Sequence, residues 1–202
     1  MVEAYEQVLN NPAMLGQRLN ARLYEEMHSL VTRYLPKLDT ELSDGGTSHP
    51  LMAPVPAADA LVETVGGRRL IGSVAEALDL DPRPITFVDD FSTAVPRLTV
   101  GYRQDEARAL MDAMFDQYYL DRAAARTDAQ RLRAIARVVR NLHVGHFFTD
   151  ANGRLNTTVL LQVLLLGNGF RPVVFDGMQE SFSGNVLLDD VVVQLQAGQN
   201  RP

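Results

Sequence analysis

His146-Phe147-Phe148-Thr149-Asp150-Ala151-Asn152-Gly153-Arg154 gathers an imidazole, a carboxylate, a carboxamide, a glycine and a guanidinium into one short stretch. Apolar segments lie on both sides of it. Upstream, Leu132, Ile135, Val138, Val139 and Leu142 recur at helical spacing. Arg131, Arg133, Arg137 and Arg140 fall mostly on the other side, the expected solvated face, and Asp128 is placed to cap the start. Downstream, Leu155 to Leu166 is nearly apolar all round, which predicts a central, buried helix. Gly167-Asn168-Gly169 then stops it with residues that tolerate a left-handed backbone. The pattern is helix, loop, helix, and it predicts a mainly α fold built around that pair.

The residue types within the stretch suit one chemistry. Backbone N–H groups in the first turn of a helix are unpaired and carry partial positive charge, so they attract phosphate. A helix starting near Asn152 would aim the N–H groups of Asn152, Gly153 and Arg154 at one spot. Gly153 lets an anion come close, and Arg154 adds a fork of donors. Asp150 is placed for a divalent cation, and magnesium favours one or two carboxylates plus phosphate oxygens. His146 is the group whose reference pKa suits a general base near neutrality. Base, cation ligand and anion cradle together suggest transfer of a phosphorus group to a hydroxyl. Two other uses of these residues exist. Ala151 to Arg154 alone is a common turn, and His143, His146 and Asp150 could ligate a transition metal in a hydrolase. The absence of a Glu-flanked His-x-x-x-His pattern argues against the latter, and His143 reads as a packing residue at the helix end.

Working outward, the 202 residues predict one domain, or one with an appendage. There is no Cys, so disulfides and thiolate metal sites are excluded. The net charge of −6 gives no basic footprint for nucleic acid. The start, Met-Val-Glu-Ala-Tyr-Glu, does not read as a cleavable signal, and Val159 to Leu166 is far short of the ~20 residues a membrane span needs. These features predict a soluble protein.

At the N-terminal end, residues 2–10 suit a short helix stopped by Asn11-Pro12. From Ala13 to Tyr34, Leu15, Leu19, Leu23, Met27, Leu30, Val31 and Tyr34 make an apolar helical stripe ended by Pro36. His28, at the stripe's edge, reads as a packing residue. Residues 37–59 read as a proline- and glycine-rich connection, with His49 an exposed loop histidine. Ala60 to Val65 and Arg68 to Ile71 flank Gly66-Gly67, a hairpin signal, and Arg68-Arg69 would charge its edge. A helical turn over Ser73 to Leu80 and an extended run over Pro84 to Val88 follow. From Gln104 to about Leu120, Ala107, Leu110, Met111, Met114, Phe115 and Tyr118 form another apolar helical face. Val173-Val174-Phe175 and Val186 to Leu195 fit strand or helix. The organisation expected is an N-terminal helical segment (1–36), the connection (37–59) and a catalytic domain (60–202).

His146-x-Phe148-x-Asp150-Ala151-Asn152-Gly153-Arg154 resembles the signature of the Fic/Doc family, His-x-Phe-x-(Asp/Glu)-Gly-Asn-(Gly/Lys)-Arg. It departs at Ala151, as some Doc-like members do. The resemblance covers residues 104–170 and, more loosely, 60–195. It implies a Fic-like helical bundle with a small β-hairpin flap, and a transferase that moves AMP from ATP onto a Ser, Thr or Tyr hydroxyl of a target protein. In that scheme His146 is the base, Asp150 holds Mg2+, Ala151, Asn152, Gly153 and Arg154 form the phosphate-binding loop, and Phe148 pins the loop to the core. Gly153 points to nucleotidyl transfer, since Doc-like kinases carry Lys there; another minority transfers phosphocholine.

Two features set this chain apart from many members. AMP-transferring members commonly carry a second Arg three residues after the first, where this chain has Thr157. That weakens the assignment of ATP and leaves a second class open, a catalytically degraded Fic-fold binding module. No Ser or Thr is followed four places on by Glu, the family's inhibitory pattern. The resemblance therefore implies an inhibitory partner protein in trans, as for a toxin, or no inhibitor, as for an effector delivered to another cell's cytosol. The compartment of action would be cytoplasmic. The flap would be formed by Thr64, Val65, Gly66, Gly67 and Arg68, with 86–100 as the alternative. No nucleic-acid partner and no membrane span are expected.

Overall fold

The computed structural model describes residues 7–8, 10–11, 17–33, 107–148, 151–182 and 186–200 in full, and by backbone alone residues 104–106 and five short strands. The described chain is mainly helical. Its helices are α1 (Ala21–Thr32), α2 (Gln104–Ala124), α3 (Asp128–Gly145), a π-helical stretch (Arg154–Leu160) continuing into α4 (Leu161–Gly167), then α5 (Met178–Ser181) and α6 (Leu188–Gln199). Among the described residues, no helix is long and apolar enough to cross a membrane.

The strands are β1 (Thr47–Pro50), β2 (Val62–Val65), β3 (Arg68–Ile71), β4 (Ile85–Val88) and β5 (Arg97–Val100). β2 and β3 pair antiparallel, Val62 opposite Ile71 and Val65 opposite Arg68. β5 is the centre of a second antiparallel sheet, with β1 on one side and β4 on the other. Thr47–Pro50 is thus a strand inside the stretch expected to lack regular structure. Its partner lies some fifty residues on, and local proline content carries no information about a partner so distant. The turn expected over Ser73 to Leu80 lies outside the described residues.

One core joins the helices. α2 packs on α3, α3 on α6, and α1 lies against both α2 and the π-helical stretch. Leu23, Tyr24, Met27 and Val31 of α1 share that core with Met111, Phe115, Ile135, Val139, Leu142, Leu160, Leu164, Val191 and Leu195. The apolar stripe of α1 therefore does what its spacing predicts, but the helix starts at Ala21 rather than near Ala13. Residues 17–20 are not helical. The Leu19 N–H donates to the Tyr119 hydroxyl (2.7 Å) and the Ala21 N–H to Asp112 (2.7 Å), which fastens this entry to α2. Asn20 then caps the helix by accepting from the Leu23 N–H. Ion pairs Arg18–Asp116 (2.8 Å) and Arg108–Glu25 (2.7 Å) line the same seam. Being exposed, they contribute little to stability.

α3 opens with a capping box in which Thr127 and Gln130 satisfy each other's backbone N–H groups. The cap is Thr127, one residue before the expected Asp128, which instead places its charge in the first turn. Of the four arginines expected on the outer face, Arg140 is 1 % exposed and belongs to the interior. Val173 to Phe175 has no regular secondary structure, and the final apolar run is helical from Leu188. Gly198 in α6 is required by close approach: a Cβ there would come 2.3 Å from a methyl of Val173.

Candidate functional site

The site begins where α3 ends. His146 caps α3 in a left-handed conformation (φ 48°, ψ 51°), its N–H still donating to the Leu142 carbonyl at 3.3 Å. Left-handed backbone at a non-glycine residue is uncommon and costs about 1–2 kcal/mol. Here it turns the chain sharply, and Phe147 and Phe148 immediately enter the core. Gly145 makes this turn feasible. The Phe147 ring lies against its Cα, and a Cβ would stand 2.5 Å from that ring.

Phe148 anchors the loop. Its ring stacks on His28 (centroids 3.8 Å apart, planes 3° apart) and packs at 5.3 Å on Tyr24. Both of its backbone groups are taken by Asn152: the Phe148 N–H donates to Oδ1 (3.1 Å), and Nδ2 donates to the Phe148 carbonyl (2.6 Å). The side chain of Asn152 is therefore the staple of the loop. Thr149 and Asp150, the latter the expected cation ligand, lie outside the described residues.

Ala151 has a second left-handed backbone (φ 63°). It is the position at which the signature places glycine, the residue for which that conformation carries no penalty. The Ala151 carbonyl accepts from the Leu155 N–H at 2.9 Å, and the helix runs from Asn152 onward. The first N–H groups of a helix, here those of Asn152 and Gly153, have no acceptor within the helix itself. Arg154 is partly buried and engaged with its surroundings.

The next residues depart from the α-helix. Over Arg154–Leu160 the bonds run i to i−5, as in Leu161 N–H to Asn156 carbonyl. Such π turns are rare and concentrate at functional sites. The Thr157 carbonyl is satisfied by the Gln162 side chain (3.2 Å), which also exchanges two bonds of 2.9 Å with the backbone of Val173. Thr157 itself is buried, and its hydroxyl donates to the Gly153 carbonyl at 2.8 Å. A residue so committed takes no part in binding outside the helix. Beneath the turn, the Tyr24 hydroxyl donates to Asn156 Oδ1 at 2.7 Å in a fully buried bond. Burial raises the Tyr24 phenol well above its ordinary value, so it remains a neutral donor.

His143 lies one turn before His146 on α3. Burial, reinforced by the neighbouring His146, pulls its pKa down to about 4, so the ring is neutral across physiological pH. Its Nδ1 has no hydrogen-bond partner among the described residues. Among the described residues, no group of three His, Asp or Glu side chains could hold a metal ion.

The structure thus brings His146, Phe148, Ala151, Asn152, Gly153 and Arg154 to one loop and helix start. Of the expected flap, Thr64, Val65 and Arg68 lie on paired strands, while Gly66 and Gly67 lie outside the described residues. Sequence reasoning missed Tyr24, Gly145 and Gln162. Gly145, a glycine directly before the motif, left a local trace; Tyr24 acts from more than a hundred positions away, and Gln162 bonds to backbone groups of Thr157 and Val173 that an apolar helical pattern does not reveal. Fold and site together define a mainly helical protein with a stapled loop feeding a helix N-terminus. No protein-family model matches the chain, and no curated protein matches it.

Proposed function

We propose that this chain is a Fic-type protein nucleotidyltransferase that moves AMP from ATP onto a hydroxyl of a target protein. The observation that carries the reading is the left-handed backbone at Ala151. The residue standing where the signature has glycine adopts the conformation that makes glycine useful, and the helix starts directly after it. In this reading the helices form a Fic-like bundle, and β2–β3, with Thr64, Val65, Gly66, Gly67 and Arg68, is the flap that aligns the target segment by strand addition.

His146 takes the proton from the target hydroxyl, whose oxygen attacks the α-phosphorus as the bond to pyrophosphate breaks. The N–H groups of Asn152 and Gly153, with the Arg154 guanidinium, hold the phosphates. Asp150 directly precedes the turn at Ala151, and one hard carboxylate beside phosphate oxygens is the donor set that suits magnesium. When bound, that ion would neutralise phosphate charge. His146 is suited to the base role by its position: the α3 C-terminus fixes its backbone, and neutral His143 behind it adds no positive charge.

The test is incubation with ATP, other nucleotides or CDP-choline and magnesium, followed by mass spectrometry of candidate targets and of the chain itself. The reading predicts a gain of AMP that His146→Ala abolishes. A phosphoryl or phosphocholine gain would instead identify a Doc-like kinase or a phosphocholine transferase. The buried, helix-bound Thr157 favours a second reading, a Fic-fold binding module without chemistry. Absence of any nucleotide binding at millimolar concentration would favour it.

A further inference from the structure

Gly153 is not open above its Cα. A Cβ placed there would meet the carboxamide of Gln179, 2.9 Å from Nε2, 3.0 Å from Cδ and 3.3 Å from Oε1. In a helix the Cα–Cβ bond tilts toward the N-terminus. The Gln179 amide therefore lies at the rim of the first turn, on the side from which the Asn152, Gly153 and Arg154 N–H groups are approached. It is carried by α5, which Ser181 ties to the Gly177 carbonyl (3.0 Å) and to Gln194 of α6 (3.0 Å). The side chain is half-buried, and its carboxamide has no hydrogen-bond partner among the described residues. Two N–H donors are thus held beside the cradle with no acceptor among the described residues, while the position where the family commonly has a second arginine is the buried Thr157.

The geometry points to Gln179 as a donor-binding residue: its carboxamide donates to a phosphate oxygen of the nucleotide lying over Gly153. This rests on the transferase reading above and extends it. The residue supplies from α5, as a neutral donor, a contact to the phosphates that Thr157 does not make. It also gives Gly153 a second reason to lack a side chain. Any Cβ there pushes the amide away, so the two positions act as a pair.

The experiment is calorimetric titration of the full chain with α,β-methylene-ATP and magnesium, with melting temperatures measured alongside. A lost hydrogen bond to a charged group corresponds to about tenfold in affinity, so Gln179→Ala is expected to bind about tenfold more weakly. Gln179→Glu, which sets a carboxylate against phosphate, is expected to be weaker again by about tenfold, and Gln179→Arg to bind at least as tightly as the parent. All three should melt within a few degrees of the parent. Gly153→Ala combined with Gln179→Ala should be less than additive. Equal affinity of the parent, Ala and Glu variants overturns the assignment, as does equal weakening in Ala and Glu, which would mark a packing role. If the parent binds no nucleotide, the transferase reading fails and this assignment with it; if only the Gln179 series is flat, the transferase reading stands.

Discussion

At Ala151 the sequence and the backbone disagree, and the disagreement is measurable. A Cβ in the left-handed region carries a penalty of about 1 kcal/mol that glycine avoids, partly offset by glycine's greater freedom in the unfolded chain. Ala151→Gly should therefore raise stability by about 0.5 kcal/mol, read as a higher urea midpoint with an unchanged slope. Gly145→Ala should do the reverse, by about 2 kcal/mol, because the Phe147 ring that would have to yield is packed in the core. His143 supplies a pH dependence. Its folded pKa, about 4, lies below the reference value of 6.5, so between these values the unfolded chain binds more protons. Stability is full above pH 6.5 and falls by up to about 3 kcal/mol as pH drops to 4. His143→Gln should flatten this part of the profile in chemical unfolding measured at a series of pH values.

At the scale of elements, the pairs that hold the site are those that sequence periodicity could not show. The apolar spacing of α1, α2 and the first half of α3 was legible because each buries one face; from Val138 to Gly145 α3 is buried all round, which is why Arg140 was misplaced. Legible too was the stop after α4, where Asn168 caps and Gly169 turns left-handed (φ 79°). The start of α1 was not legible, because Tyr119 and Asp112 of α2 decide it. Nor was the π turn, which depends on Gln162 taking up the Thr157 carbonyl. The residue types of the motif could be read directly, while the division of labour between Asn152 and Phe148 inside it could not. Asn152, expected at the phosphates, spends its side chain on Phe148. The Tyr24–Asn156 bond offers the test at this scale. Tyr24→Phe leaves a buried carbonyl oxygen without its donor, and should cost about 1–3 kcal/mol in thermal or urea unfolding.

At the scale of the molecule, the helical segment near the N-terminus is structurally part of the site. Tyr24 and His28 form the surface on which Phe148 rests, and the loop from Phe148 to Asn152 is stapled to that ring's own backbone. A chain lacking residues 1–33 should lose cooperative unfolding, or melt at least 10 °C lower, and on the proposed transferase reading should lose nucleotide binding with it, as scanning calorimetry and titration of one preparation would show. Residues 1–36 read as a separate helical segment in sequence because the contacts that join them to the motif span more than a hundred positions.

The π-helical stretch has a consequence for counting. A π turn spends more residues per revolution than an α-helix, so Arg154–Leu160 behaves as a local insertion that leaves the ends of the helix in place. Positions before and after it no longer keep the same phase. The residue three after Arg154 by number, Thr157, is buried, whereas the next, Thr158, is partly exposed. Counting by α-helical spacing across this stretch therefore picks the wrong face, and a side chain meant to reach its partly exposed side belongs at Thr158 rather than at Thr157.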